Sequence, residues 1–359
     1  MRRLGLVEYE DGLAAQKLLV AARTQGLVPD TLLLLEHPRV ITLGRGASET
    51  NLLASREELR RKGYEVYETD RGGDVTYHGP GQIVGYPILD LKPERKDVRK
   101  YVASVEEVMI RAARAFGVEA ERAQGRIGTW VSVPPPSAPA RRGQSPLLRT
   151  GKLGAIGVHI SRWVTSHGFA LNVATDLRDF AAIVPCGISD AGVTSLESLL
   201  GKAPPLREVE DALVRAAGEV WESDVFEVPH ELRTVSVALT RDDGRVLLLK
   251  RSQERGGFWQ ILTGRIEPGE SPLQAAAREV HEETGFSPQL RELDYVHSFP
   301  LGDRLPPLFA QETAFAARVR GEPRLSAEHV EHRWAILEEA EQLLPFAGLR
   351  CAARLALRA

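Results

Sequence analysis

This chain predicts two domains of mixed α/β (α+β) type, and three observations carry the prediction. Its 359 residues suffice for two separate hydrophobic cores. Apolar runs of strand length alternate with stretches of helical periodicity. Two stretches dense in glycine and ionisable residues lie far apart, and a change of composition at Glu222–Glu231 falls between them. The boundary is set at about residue 228, for expected domains of 1–225 and 229–359.

The elements follow in order. Leu4–Val7 reads as a short strand and Leu13–Thr24 as a helix. Thr31–Glu36 and Val40–Leu43 are apolar runs on either side of His37-Pro38, as buried strands are. Ser55–Lys62 is a charged surface helix. Glu65–Glu68 and Gln82–Asp90 read as strands joined by a glycine-rich loop, and Val98–Phe116 is an amphipathic helix. The stretch 134–149, which opens with PPPSAPARRGQSP, lacks any periodicity and cannot bury a core, so it reads as an inserted surface loop. Past the boundary, Thr234–Leu239 and Arg245–Leu249 are strands joined by a turn at Asp242-Asp243-Gly244.

Composition excludes several classes. Hydrophobic residues at 43% and charged residues at 26% give a globular balance. A net charge of -3 gives no general attraction to nucleic acid or to an anionic membrane. The only cysteines, Cys186 and Cys351, make no disulfide framework. No apolar run approaches the roughly 18 residues of a membrane span. Glu8 interrupts the N-terminus too early for a signal peptide. A cytoplasmic protein with neither nucleic acid nor membrane as partner is expected.

The sharpest motif is GRIEPGESPLQAAAREVHEETGF, from Gly264 to Phe286. Ser271 caps a helix whose first position is Pro272, and Gly285 suits its C-terminal stop. Glu279 stands at i to Glu282 (i+3) and Glu283 (i+4), so three carboxylates crowd one helix face. Alone they repel. With a hard divalent cation they become ligands, and Glu270 just before the helix reaches the same place. Arg278 is placed to orient a glutamate by a two-pronged pair. This stretch resembles the Nudix box. The resemblance implies an α/β/α sandwich in which Mg²⁺ or Mn²⁺ assists hydrolysis of a nucleoside di- or triphosphate-type small molecule. It also implies Glu279, Glu282, Glu283, Glu270 and Glu328 as metal ligands, with Gly264, Arg278 and Gly285 shaping the box. Phe258-Trp259-Gln260, Glu328-His329 and Arg333-Trp334 look like a subgroup acting on dATP-like or dihydroneopterin triphosphates.

The upstream stretch carries other chemistry. RGGDVTYHGPGQ, from Arg71 to Gln82, is glycine-rich but lacks the Gly-Lys-Ser/Thr ending of a phosphate-binding loop. Further on come Gly151-Lys152 to Ile160, His167 to Asn172 and Pro185-Cys186-Gly187-Ile188. A thiol ionises near neutral pH when an ammonium stabilises its thiolate, and Lys152 is a candidate for that ammonium. Together these segments resemble the lipoyl(octanoyl) transferases (the lipoate-protein ligase B family), which share the biotin/lipoate protein ligase fold. The resemblance covers about residues 1–220. It implies transfer of an octanoyl group from octanoyl-acyl carrier protein to a lysine of the lipoyl domains of 2-oxoacid dehydrogenases and of the glycine-cleavage H protein. Cys186 would be the thioester nucleophile and Lys152 its activator. Arg71, Gly72, Gly73, Asp74, Val75, Thr76, Tyr77, His78, Ala155, Ile156, Gly157, Gly168, Phe169 and Ala170 would bind the acyl substrate, and the transfer would need no cofactor.

Two alternatives stand beside this reading. One is an ATP-dependent lipoate ligase, against which the Pro-Cys-Gly-Ile setting of Cys186 argues. The other makes the downstream domain a non-catalytic nucleotide sensor, against which the full set of glutamates argues. The cations Lys92, Arg95, Lys96, Arg99 and Lys100 form a candidate docking face for an acidic carrier protein.

Overall fold

The computed structural model describes residues 1–133, 149–184 and 192–358. Cys186 and the proline-rich insertion, apart from the backbone of Arg149, lie outside the described residues. The chain divides into two compact units, one of Met1–Tyr9 and Ala15–Pro229, the other of Glu10–Ala14 and His230–Ala359.

In the first unit, β1 (Arg2–Leu6), α1 (Tyr9–Thr24), β2 (Thr31–Glu36), β3 (Val40–Leu43), α2 (Arg56–Arg61), β4 (Glu65–Glu68), β5 (Val75–His78) and β6 (Gln82–Ile88) come first. They are followed by α3 (Val98–Arg114), β7 (Glu121–Ala123), β8 (Arg126–Val133), β9 (Arg149–Ser161), β10 (Val164–Asn172), β11 (Gly192–Val193), α4 (Leu196–Leu200) and α5 (Leu206–Val220). The main sheet runs β1-β2-β6-β10-β9-β8-β7, with β11 parallel to β9. A smaller sheet runs β4-β3-β5.

Local chemistry sets most of these boundaries. Ser55 and Glu58 close a capping box on α2. The Asp97 carboxylate caps α3 by accepting from the N–H groups of Arg99 and Lys100. Tyr101, Val105, Val108, Met109 and Ala112 form the buried stripe of α3, which packs with α5 over the main sheet. Helix α1 starts four residues earlier than the periodicity places it, with Glu10 and Asp11 in its first turn, where acids suit the helix dipole.

One expectation fails here. The segment between β4 and β6 is not all loop, because Val75–His78 pairs antiparallel with β3 in register Val40↔His78 to Leu43↔Val75. The alternation of a strand then splits this motif. Val75 and Tyr77 enter the core of the smaller sheet beside Ile41, Leu59 and Phe180, while Thr76 and His78 turn the other way.

The second unit contains β12 (Leu232–Thr240), β13 (Val246–Arg251), β14 (Trp259–Gln260), β15 (Leu262–Arg265), α6 (Pro272–Thr284), β16 (Arg291–Pro300), β17 (Phe309–Arg318), β18 (His329–Ala335), α7 (Leu337–Leu343) and α8 (Ala347–Arg358). Its strands run β14-β13-β12-β17-β16, with β15 on β12 and β18 on β13. The turn before β13 closes by Arg241 N–H to Arg245 O, 2.9 Å, with Gly244 at φ 76. Val235, Val237, Leu239 and Phe315 face α6, whose Ala275, Ala276 and Val280 complete that core. The opposite face carries α8, which packs on β12, β16 and β17. The unit is an α/β/α sandwich.

Candidate functional site

A cavity in the first unit gathers the upstream motifs. It is lined by Arg71, Gly73, Asp74, Thr76 and His78, by Ala155, Ile156 and Gly157 of β9, and by Gly168, Phe169 and Ala170 of β10. The last two triplets face each other across one antiparallel ladder, Ala155↔Ala170, Ile156↔Phe169 and Gly157↔Gly168. Of the expected acyl-site residues, Gly72, Val75 and Tyr77 do not line it. Gly72 gives its N–H to Val158 O, 2.9 Å, and Tyr77 donates its hydroxyl to Asp179, 2.6 Å. The sequence reading missed Tyr9, Val84 and Tyr86. Alternation along β6 puts Val84 and Tyr86 on one face, but which face meets the cavity depends on the nonlocal order β2-β6-β10.

The polar side of the cavity carries His78 and His167, with His37 packed against His78. His37 is fully buried, and its Nδ1 lies 2.7 Å from Val7 O, which only accepts. Its Nε2 therefore accepts from the Tyr86 hydroxyl, 2.7 Å away. Burial lowers the His37 pKa to about 4. Burial above all, then the neighbouring His37, lowers His78 to about 3. His167 is held by Asp70, Nε2 to Oδ1 2.8 Å, yet burial still keeps its pKa below the usual value. Arg71 is pinned by Thr42, with Nη2 donating to its carbonyl at 2.7 Å and Nε to its hydroxyl at 3.0 Å.

Lys152 lies on β9, three residues before Ala155, and Thr194 N–H donates to its carbonyl, 3.0 Å. The described chain before Cys186 ends at Val184, whose N–H donates to Asn51 O, 2.8 Å. Asn51 in turn donates to Asp74, 2.7 Å. The chain resumes at Gly192, opposite Gly151. Of the candidate docking cations, Lys92 pairs with Asp90 at 3.5 Å and Arg95 with Asp30 at 2.9 Å. Lys96, Arg99 and Lys100 remain exposed.

In the second unit, α6 shows the expected caps: Ser271 in a capping box with Gln274, Pro272 in the first turn, and Gly285 left-handed at φ 72. Glu279, Glu282 and Glu283 share one region of the helix. Arg278 reaches Glu279 at 2.8 Å and Glu282 at 3.3 Å, and grips both oxygens of Glu270 at 2.9 and 3.1 Å. Glu270 also accepts Glu267 N–H, so its oxygens are engaged. Glu328 takes Arg255 at 2.6 Å. Gly264 has no side chain to spare. A Cβ there would overlap the Glu279 side chain at Cγ, Cδ and Oε1.

Among the described residues, no three His, Cys, Asp or Glu side chains already converge as a ligand set. The donors nevertheless fit a hard divalent ion. Glu283 is buried, and its Oε2 has no hydrogen-bond partner among the described residues. Burial, then the charges of Glu279 and Glu328, push its pKa up to about 8. Burial also raises Glu279. A divalent cation bound there would relieve that repulsion and supply the missing partner.

The fold and these two sites describe an α/β domain with a cavity between its sheet strands and a glycine-rich segment, followed by a Nudix-type sandwich. Residues 8–218 match the lipoyl protein ligase A/B catalytic domain, and residues 230–351 match the NUDIX domain. The chain belongs to the lipoyl protein ligase A/B catalytic family and carries a NUDIX domain C-terminal to it. A Myxococcus xanthus protein named octanoyltransferase is 50% identical over 353 residues, 97% of this chain and 96% of its own length, so the similarity runs through both units of this chain. An octanoyltransferase of Acidobacterium capsulatum is 48% identical over 249 residues, 66% of this chain and 97% of that one. The E. coli dihydroneopterin triphosphate pyrophosphohydrolase structure covers 35% of this chain and 96% of its own at 26% identity, with a TM-score of 0.32. The protein is an enzyme with an octanoyltransferase part and a Nudix hydrolase part. No helix among the described residues is long and apolar enough to cross a membrane.

Proposed function

We propose that residues 1–225 move an octanoyl group from octanoyl-acyl carrier protein, through a thioester on Cys186, to the target lysine of lipoyl domains and of the glycine-cleavage H protein. The observation that carries this reading is the cavity walled by the Ala155–Gly157 and Gly168–Ala170 ladder and the Arg71–His78 segment, with Lys152 on the same strand. Anchors on either side support the role of Cys186. Val184 is tied to Asn51, which holds the cavity residue Asp74, and Gly192 sits one position along from the strand partner of Lys152.

The chemistry balances. The Cys186 thiolate attacks the thioester carbonyl, and the carrier leaves as a thiolate that takes a proton from the Lys152 ammonium, so that Lys152 enters the second step neutral. The target amine, deprotonated, then attacks the new thioester, an amide forms, and the Cys186 thiolate is regenerated. The first step exchanges like for like and the second runs downhill. Lys152 stabilises the thiolate in the resting enzyme and takes up the amine proton as base in the second step.

The test is the intact mass of wild type and Cys186→Ser after incubation with octanoyl-acyl carrier protein. One octanoyl group on wild type, released by hydroxylamine and missing from the variant, is the expected result. Acyl transfer that needs ATP and free octanoate, with no adduct, would mean a ligase instead.

For residues 229–359 the reading is Mg²⁺- or Mn²⁺-dependent hydrolysis of a nucleotide-like diphosphate. Glu279, Glu282 and Glu283, with Glu328 from the segment before β18, would hold the metal. Bound there, such a metal would supply an activated water and neutralise charge on the phosphates. Glu270 acts through Arg278, which it grips on both oxygens. Glu282→Gln should abolish hydrolysis of the diphosphate bridge. Full retention of it would make this part a nucleotide-binding module.

A further inference from the structure

We infer that Gly128 and Trp130 of β8 are positioning residues for the Lys152 ammonium, an inference that rests on the reading of Lys152 as the activator of Cys186. Strands β8 and β9 pair so that Trp130 stands directly opposite Lys152. The Lys152 Nζ lies 5.4 Å from the Trp130 ring centroid, within the range at which an ammonium is attracted to an aromatic face. The ring itself has nowhere to go, since Trp130 is 1% exposed. Its indole N–H is buried without a partner among the described residues. Hydrogen bonding therefore does not explain a tryptophan here, and its ring does, with the Arg126 guanidinium 5.5 Å and the Lys152 ammonium 5.4 Å from its centroid.

Gly128 shapes the other half of the groove. Its φ is +120°, a backbone conformation that residues with side chains rarely adopt. A Cβ at this position would stand 2.8 Å from Lys152 Cε and 2.6 Å from Gly154 O, so the lysine stem runs through the space a side chain would fill. The glycine is itself held. Its N–H donates to Glu106 Oε1, 3.0 Å, and Glu106 is buried on α3 and braced by Arg122 at 3.1 Å. The Lys152 main chain is fixed by Thr194 N–H and by its pairing with Val193. Lysine is among the side chains with most rotamer freedom. Here its root, stem and head are each confined, and an ammonium stabilises a thiolate only from a defined short distance.

The experiment reads the alkylation of Cys186 by iodoacetamide against pH, in the full chain with Cys351→Ser as background. Lys152→Ala should raise the midpoint by about one pH unit or more. Gly128→Ala and Trp130→Leu should shift it in the same direction, and Trp130→Phe, which keeps an aromatic face, should stay near the parent. If Gly128→Ala does not fold, the two Trp130 variants decide, with thermal melting confirming that both are folded. A shift in Lys152→Ala but none in Trp130→Leu would overturn the positioning role and leave the Cys–Lys reading standing. Equal shifts in Trp130→Leu and Trp130→Phe would overturn the part given to the aromatic face. No shift in Lys152→Ala would overturn the activator role itself, and this inference with it.

Discussion

Asn172 sets the tautomer of His78 without touching it. The Asn172 amide N–H donates to Thr194 O, 3.0 Å, so its oxygen must face Gln82, which donates to it at 2.9 Å. The Gln82 oxygen then faces His78 Nδ1 at 2.7 Å, and that nitrogen carries the proton. His78 thus lines the cavity as a neutral imidazole with Nε2 as its acceptor. Gln82→Leu leaves a buried N–H on His78 and a buried oxygen on Asn172, each costing about 1–3 kcal/mol. The variant should lose roughly 2–6 kcal/mol of stability and most of its octanoyl transfer. Urea unfolding of the first unit checks it, and an unchanged midpoint would show that the network does not hold the site.

Gly264 and Glu279 share one space, because a Cβ on Gly264 would occupy the volume of the Glu279 carboxyl group. Gly264→Ala must displace that carboxylate or the strand beneath it. Hydrolysis of a nucleoside triphosphate should fall at least about tenfold, the equivalent of 1.4 kcal/mol at the transition state. Octanoyl transfer by the same preparation should be unchanged. Both activities measured on one sample separate a local effect from misfolding.

Much of the second site was legible because its chemistry is local. Ser271, Pro272 and Gly285 announce the ends of α6, and helical spacing alone puts Glu279, Glu282 and Glu283 together. Glu270 was less legible, since only the folded turn brings it onto Arg278 across eight residues. In the first unit, the four-residue strand Val75–His78 was hidden between glycines, and its pairing with Val40–Leu43 is nonlocal. That pairing decides that Thr76 and His78 reach the cavity while Val75 and Tyr77 do not. Tyr9, Val84 and Tyr86 were invisible for the same reason. The basic run at Lys92–Lys100 read as a candidate docking face, but the neighbouring Asp90 and Asp30, from a distant segment, neutralise part of it.

Arg278 holds three carboxylates and the Arg265 carbonyl at once, which needs the planar fork of a guanidinium. Arg278→Lys keeps the charge but reaches fewer of them. The variant should need more Mg²⁺ for half-maximal hydrolysis while transferring octanoyl at the parent rate. A titration with Mg²⁺ matching wild type would confine Arg278 to a structural role.

Beneath α8, a second buried carboxylate makes stability depend on pH. Glu312 is 3% exposed, and its Oε1 lies 3.8 Å from His297 Nε2, too far for a hydrogen bond. Thr234 donates to the other oxygen at 3.2 Å. Burial pushes Glu312 up to about 7, against hydrogen bonds from nearby hydroxyls, and burial lowers His297 to about 4. The signs oppose each other. A carboxyl group raised in the folded state contributes stability that is complete below its unfolded pKa, near 4.5, and lost as pH rises through 7. Neutral His297 contributes stability present above its usual 6.5 and lost as pH falls toward 4. Glu312→Gln stays neutral and removes only the first effect. The difference in stability between variant and parent should therefore grow from pH 4.5 to 7, with a slope of at most about 1.4 kcal/mol per pH unit. Hydrogen–deuterium exchange of β12 and β17 at several pH values reads it. A difference that stays flat across that window would mean Glu312 is ionised in the folded protein, and its burial beside His297 would then need another cation to explain it.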